Sequence, residues 1–172
     1  MGKIIAFSGS HGTGKTTAAH AMAVKMKIAH PGSRVGFLAE VAPGCPYPIN
    51  QETTAAGQLW IFAKQMEREL WLSRENDFVV SDRCLLDVIA YTVVADLEDL
   101  ADNMLRLFGD YVAANQPYQE VRILPPKPSY LVADGVRDTD ARFQADVHDA
   151  LLGLYRRCGD IGRIIHYIDE GV

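Results

Sequence analysis

A glycine-rich stretch near the amino terminus, Gly9 to Thr16, has the residue types and spacing that bind phosphate groups. Two glycines with four residues between them are followed by Lys15 and Thr16. Glycine lets the backbone curl until successive N–H groups face one centre, where an anion can bind. Lys15 is then expected to reach the β- and γ-phosphates of a nucleotide, and Thr16 to offer its hydroxyl to Mg²⁺.

The residues around this stretch favour a nucleotide site over an ordinary glycine turn. An apolar run, Ile4 to Phe7, precedes it, and an alanine-rich segment, Thr17 to Ile28, follows, which predicts strand, surface loop and helix. The helix start adds the positive end of its dipole to the loop. We therefore expect ATP and Mg²⁺ as cofactors. The residues expected to bind them here are Gly9, His11, Gly12, Thr13, Gly14, Lys15, Thr16 and Thr17.

Two carboxylates follow predicted strands and are candidates for chemistry. Asp82 comes after the apolar segment 77–81 and fits a carboxylate that holds the Mg²⁺ shell through water; a helix N-cap is the alternative. Glu40 ends a strand predicted over 34–39 and fits a base or a carboxylate that positions the acceptor. A solvated loop glutamate is the alternative for Glu40.

Further polar residues are candidates for substrate contacts. Arg83 is expected to contact substrate, and Asp87, one helical turn later, to hold it in place; a surface ion pair is the alternative. Gln58 and Gln65 have amides that could form hydrogen bonds with the edge of a base, although either is more often a plain helix surface residue.

A polar, glycine-containing segment, residues 134–143, is typical of a lid that closes over a nucleotide. It contains Arg137, expected near the transferred phosphate, and Arg142, expected near the adenine or the phosphates. Solvated surface arginines are the alternative.

Strands alternate with helices along the chain, which predicts an α/β fold with a parallel sheet of five strands and helices on both faces. Ligands of such sheets bind at the carboxyl ends of the strands, where the glycine-rich loop, Glu40 and Asp82 would meet. A long helix is predicted over 53–74. Its expected buried face consists of Leu59, Phe62, Ala63, Met66 and Leu70, widened by Trp60 and Trp71.

Bulk properties narrow the class of protein. The 172 residues suit one domain, 1–172, and the net charge of −5 without a basic run disfavours nucleic acid as a partner. We expect a small-molecule substrate and no membrane contact, because the sequence has no membrane-spanning stretch and no signal-peptide pattern. A cytosolic location follows as an expectation, and the sequence leaves a homodimer open.

Three segments together resemble a known group of enzymes. They are Phe7 to Thr17, Ser81 to Asp87, and Ala133 to Arg137 with Phe143-Gln144. They look like the small P-loop kinases that include the ribosylnicotinamide kinase domain of the bacterial NAD regulator. They are also similar, more distantly, to thymidylate and deoxynucleoside kinases.

The resemblance implies a P-loop NTPase fold and an ATP-dependent nucleoside or nucleotide kinase. In the thymidylate and deoxynucleoside kinases the carboxylate after strand two positions the acceptor and the arginine after strand three binds substrate. This chain departs from them in having Val41-Ala42 where thymidylate kinases have an immediate proline, and Asp82 where deoxynucleoside kinases usually have Glu. These departures leave the acceptor open.

The rival function is a regulatory module that binds ATP without turnover. A GTPase is disfavoured because the chain has no Asn-Lys-x-Asp guanine-reading motif.

Overall fold

The computed structural model describes residues 1–127, 140–158 and 165–167, the last as backbone alone. The strands are β1 (Lys3–Ser8), β2 (Val35–Leu38), β3 (Phe78–Asp82), β4 (Tyr118–Ile123) and β5 (Ile165–Tyr167). The α-helices are α1 (Lys15–Ala29), α2 (Ala55–Glu75), α3 (Leu85–Val94), α4 (Glu98–Asn115) and α5 (Ala141–Arg157). Two short 3₁₀ helices, Ala42–Gly44 and Asn50–Glu52, lie between β2 and α2.

The strands form one parallel sheet in the order β2-β3-β1-β4-β5. Helices connect β1 to β2 and β2 to β3, as crossovers between parallel strands require. We expected a parallel sheet of five strands; four strands, β1 to β4, form most of the sheet, and β5 is among the described residues a three-residue segment paired with β4 at the edge. The central strand β1 leads directly into the glycine-rich loop.

The two faces of the sheet pack against different helices. Ile4 and Ala6 of β1 belong to a core shared with α2, α3, α4 and α5. Ile5 and Phe7 point to the other face and pack against α1. Burying each Ile or Phe stabilises the fold by about 2 kcal/mol, so the alternation in β1 fixes both layers. None of the described helices is long and apolar enough to cross a membrane.

Helix α2 buries a different face from the one expected. Among the expected residues Leu59, Leu70 and Trp71 are 40–53 % exposed, and only Phe62 is fully buried. The buried stripe instead holds Gln58, Ile61, Phe62, Gln65, Glu69 and Leu72. The prediction was wrong because it assigned the core side by apolarity, whereas α2 turns polar side chains inward to partners on other elements.

Glu69 is the centre of this buried polar group. Its side chain is fully buried, and Oε1 accepts from Gln65 Nε2 at 3.0 Å while Oε2 accepts from the Tyr118 hydroxyl at 2.8 Å. The Gln65 amide also lies 3.4 Å from the Arg83 carbonyl. Burial raises the pKa of Glu69 to about 7, although the hydrogen bonds oppose that rise. The group therefore connects α2 and β4 to the turn after β3.

Replacing Glu69 by Gln should flatten the pH dependence of stability. The raised folded-state pKa means that the folded protein binds more protons than the unfolded one between the ordinary pKa of 4.5 and about 7. The stability from Glu69 is therefore fully present below pH 4.5 and lost as pH rises through 7. A shift of this size corresponds to about 3 kcal/mol.

Urea unfolding at pH 5 and pH 8 measures this effect. Between these two pH values Glu69→Gln should gain about 2.5 kcal/mol relative to wild type, because pH 5 already lies above the unfolded-state pKa. Glu67→Gln, on the exposed side of the same helix, is the matched control and should follow wild type. Equal pH dependence in Glu69→Gln and wild type would contradict the assignment.

Candidate functional site

The glycine-rich loop between β1 and α1 has the backbone geometry of an anion cradle. Gly9 has a φ of 145°, and a Cβ at this position would lie 2.7 Å from the Leu124 carbonyl oxygen, so no larger residue fits. Gly14 adopts the left-handed conformation as the residue before α1. His11 to Thr17, with Glu40 and Arg83, line a cavity at the start of this helix. A helix start adds unpaired N–H groups and a positive dipole to such a cavity.

Lys15 is a buried cation within this loop. It is 6 % exposed, and its Nζ donates to the Ser10 carbonyl at 2.5 Å and to Thr13 Oγ1 at 3.2 Å. Burial lowers the pKa of Lys15 to about 8, helped by the charge of Arg83, while three nearby carboxylates oppose the shift. Most of the ammonium is still protonated at neutral pH. The sequence predicted a surface loop here, but the Lys15 side chain is buried because it folds back into that loop.

Thr16 and Asp82 form a pair suited to Mg²⁺. Thr16 Oγ1 donates to Asp82 Oδ2 at 2.7 Å, and Asp82 Oδ1 is buried without a hydrogen-bond partner in the described part of the chain. Burial raises the pKa of Asp82. Hydroxyl and carboxylate oxygens are ligands that Mg²⁺ prefers, usually with phosphate and water completing its shell. The N-cap alternative does not hold, since Cys84 is the N-cap of α3.

The protein by itself offers few ligands for a metal ion. Within residues 1–127 and 140–158, no group of three or more His, Cys, Asp or Glu side chains could hold one. Thr16 and Asp82 therefore fit an ion that shares its shell with nucleotide phosphates.

Arg83 follows β3 and is fixed on several sides. Its Nε donates to Glu40 Oε1 at 2.5 Å, and its Nη1 donates to the Gly9 carbonyl at 3.3 Å. The guanidinium also lies 3.7 Å from Asp87 Oδ1 and 5.3 Å from the centre of the Tyr91 ring. Burial alone would lower the pKa of Arg83, but Glu40 and the other nearby acidic groups raise it well above its ordinary value. The surface ion-pair alternative is excluded, because only 11 % of this side chain is exposed.

Asp87 connects the glycine-rich loop to the start of α3. Its Oδ1 accepts from the Gly9 N–H at 2.8 Å, and its Oδ2 accepts from the Cys84 N–H at 2.8 Å. The sequence suggested only that Asp87 would hold Arg83. The stronger contacts are these two backbone hydrogen bonds, since the distance to Arg83 exceeds a normal hydrogen bond.

A second cavity adjoins the first. Glu40 and Arg83 line both cavities, so they lie at the junction. The side chains that line the second cavity are Glu40, Ala42, Ile49, Asn50, Gln58, Ile61, Arg83, Asp87, Val88 and Tyr91. We call the first the loop cavity and the second the side cavity.

The two candidate glutamines have different surroundings. Gln58 lines the side cavity, where its Nε2 donates to Thr53 Oγ1 at 2.9 Å and its Oε1 lies 3.3 Å from Thr92 Oγ1. Gln65 is not among the residues that line either cavity, and its amide faces Glu69. The structure therefore brings Gln58, and not Gln65, to the site.

Tyr91 is a site residue that the sequence reasoning missed. Its hydroxyl accepts from the His11 N–H at 3.1 Å, and its ring lies beside Arg83 in the side cavity. The spacing could have indicated it, because Asp87 and Tyr91 are four residues apart and lie on the same side of α3.

The start of α5 also contacts the glycine-rich loop. Gln144 Nε2 donates to the His11 carbonyl at 2.7 Å, and the Phe143 ring stacks 5.5 Å from the His11 ring. His11 is thus buried by packing and backbone contacts. Helix α5, which follows the expected lid in the chain, is coupled to the loop through these two residues.

The expected lid is described only from residue 140 onward, and Arg137 lies outside the described residues. Arg142 is exposed over 91 % of its side chain and lies 4.0 Å from Asp146, one turn further along α5. It is absent from the residues that line the loop cavity. In this structure Arg142 therefore lies on the surface of the helix rather than at the nucleotide site.

The chain was compared with protein families, curated sequences and solved structures. A family model described as an AAA domain matches residues 4–165. No curated protein sequence matches the chain significantly.

Solved structures of several kinases share the fold. One is NadR in complex with NAD and AMP-PNP, with a TM-score of 0.67, 18 % identity and coverage of 99 % of this chain but only 45 % of the NadR chain. Another is the thymidylate kinase of Ehrlichia chaffeensis, with a TM-score of 0.67, 19 % identity and coverage of 99 % of this chain and 89 % of that one. A third is the deoxyadenosine kinase of M. mycoides with bound dATP, with a TM-score of 0.66, 16 % identity and coverage of 99 % and 93 %.

These structures resemble the chain along nearly its whole length, and the resemblance to P-loop kinases expected from the sequence is confirmed. With the match over residues 4–165, the chain belongs to the AAA domain family and has the α/β fold of P-loop kinases, with a parallel sheet and helices.

Proposed function

We propose that this protein is an ATP-dependent kinase that transfers the γ-phosphoryl group of ATP to a small nucleoside or nucleoside monophosphate. The observation that supports this most directly is the junction of two cavities at Glu40 and Arg83. One cavity surrounds a phosphate-binding loop, and the other has the mixed apolar and polar lining that is typical of a small-molecule site. A kinase needs such an arrangement, because donor and acceptor must meet in line.

On the donor side, the loop binds the polyphosphate. The backbone of Gly12 to Gly14 and the start of α1 face the phosphates, and Lys15 supplies the cation for the β- and γ-phosphates. Thr16 and Asp82 would hold Mg²⁺, Thr16 with its hydroxyl and Asp82 with its carboxylate through water. Mg²⁺ neutralises charge on the phosphate oxygens when it is bound.

On the acceptor side, Glu40 orients the acceptor and takes its proton, and Arg83 stabilises the charge of the moving group from the junction. Gln58 faces the base of the acceptor. Arg137 closes over the transferred phosphate in the part of the lid that precedes α5. Arg142 contacts the nucleotide at most from outside the loop cavity, because its side chain is exposed to solvent.

A regulatory module that binds ATP without turnover is the alternative. The side cavity favours a kinase, because a module that only senses ATP has no need of a second cavity beside the phosphates. A ribosylnicotinamide-type kinase is a narrower form of the proposal, supported by the fold shared with NadR. A cytosolic location and a homodimer stay predictions.

Release of ADP should depend on an added acceptor and on Lys15. The measurement is coupled ADP release with ATP and Mg²⁺ across nucleosides, ribosylnicotinamide and (deoxy)nucleoside monophosphates. Lys15→Met should lower the acceptor-stimulated kcat about 100-fold or more, since the lost cation acts mainly on the transition state. Lys25→Met, exposed on the same helix, should keep wild-type turnover. Tight ATP binding with no acceptor-dependent ADP release would favour the regulatory module instead.

Replacing Asp82 and replacing Glu40 should impair different steps of the reaction. Asp82→Asn should raise the Mg²⁺ concentration for half-maximal turnover about tenfold or more, because it removes a charged group beside the ion. Glu40→Gln should lower kcat about 100-fold while the KM for ATP changes little, because a base for the acceptor is lost. Steady-state kinetics at varied Mg²⁺ and varied ATP separates the two effects. The same profile in both variants would show that these roles are wrongly assigned.

A further inference from the structure

The charges of the two cavities differ in sign. The loop cavity contains the buried ammonium of Lys15 and the start of α1, both of which favour anions. Among the described residues that line the side cavity, the charged groups are the carboxylates of Glu40 and Asp87 and the guanidinium of Arg83. Two negative charges and one positive charge leave this lining with a net charge of −1.

The single arginine of the side-cavity lining is already engaged by protein groups. Its Nε donates to Glu40, its Nη1 donates to the Gly9 carbonyl, and its other neighbours are Asp87 and the Tyr91 ring. A phosphate that bound the remaining N–H groups of Arg83 in this cavity would lie close to the Glu40 carboxylate. The negative charges of a phosphate and of the Glu40 carboxylate repel each other strongly when they are close together in a partly buried site.

The rest of the side cavity suits a planar ring with polar edges. Ile49, Ile61 and Val88 supply apolar surface, and the Gln58 amide is held in one orientation by Thr53 and Thr92. An amide that is fixed in this way can discriminate between donor and acceptor edges of a base. Among the described residues, the side cavity therefore offers apolar surface and a fixed amide to a base, and no cation other than Arg83 to a phosphate.

We infer that the acceptor of this kinase is the hydroxyl of an uncharged or positively charged nucleoside, and not the phosphate of a nucleoside monophosphate. This inference rests on the proposed kinase function and narrows it. In the reaction, the nucleoside hydroxyl oxygen forms a bond to the γ-phosphorus, and the bond from that phosphorus to the β,γ-bridging oxygen breaks. ADP leaves with the electron pair, and the hydroxyl proton passes to the Glu40 carboxylate and then to solvent.

The test compares matched pairs, each a nucleoside and its own 5′-monophosphate, with adenosine, cytidine, thymidine and ribosylnicotinamide as the nucleosides. ADP release gives kcat/KM for each member, and calorimetry on the full chain with AMP-PNP and Mg²⁺ gives its Kd. For every base that is turned over, the nucleoside should have a kcat/KM at least about tenfold above that of its monophosphate.

Glu40→Gln supplies the charge test, read by Kd because its turnover is low. Removing this carboxylate releases Arg83, so the preference for nucleoside over monophosphate should fall several-fold. Glu67→Gln, remote from both cavities, should keep the wild-type preference.

The outcomes separate this inference from the broader proposal. A monophosphate with the higher kcat/KM, or an unchanged Kd ratio in Glu40→Gln, would overturn the nucleoside assignment while the kinase function stands. No turnover and no binding with any member of the panel would overturn both.

Discussion

The partly buried contact between Arg83 and Glu40 is the interaction on which the proposed chemistry depends. It places a cation and a carboxylate at the junction of the two cavities, each oriented by the other. A partly buried pair of this kind adds little net stability, because desolvation offsets much of the attraction. Its value is geometric. The Arg83 backbone has a φ of 103°, which a non-glycine residue seldom adopts, and such strain is typical of functional turns.

The surrounding fold holds this turn from several directions. The Arg83 N–H donates to the Phe7 carbonyl at 2.9 Å, and its carbonyl accepts from Ser81 Oγ at 2.6 Å. Asp87 then ties the Gly9 N–H to the start of α3. The carboxyl ends of β1 and β3 are therefore fixed relative to each other by short hydrogen bonds. This is a preorganised site on rigid elements, in which little rearrangement is needed to place reacting groups.

The sequence predicted the features that depend on local residue patterns, and it did not predict the side-chain positions that depend on tertiary contacts. The glycine-rich loop follows from the backbone freedom of glycine, and the strand-end positions of Glu40 and Asp82 follow from apolar runs that stop there. The buried face of α2 could not be inferred from apolarity, because Glu69 is buried through its bonds to Gln65 and Tyr118. The role of Tyr91 also depends on a tertiary contact, because its partner His11 is 80 residues away in the chain.

Transfer of a labelled phosphoryl group tests the central claim most directly. The protein is incubated with Mg²⁺, ATP labelled at the γ-phosphate and the nucleoside panel, and the products are separated and identified. The expected result is label in a nucleoside 5′-monophosphate, formed in amounts equal to the ADP released, with little label in inorganic phosphate. Label that stays in ATP, or that appears only in inorganic phosphate whichever acceptor is present, would contradict transfer across the Glu40–Arg83 junction.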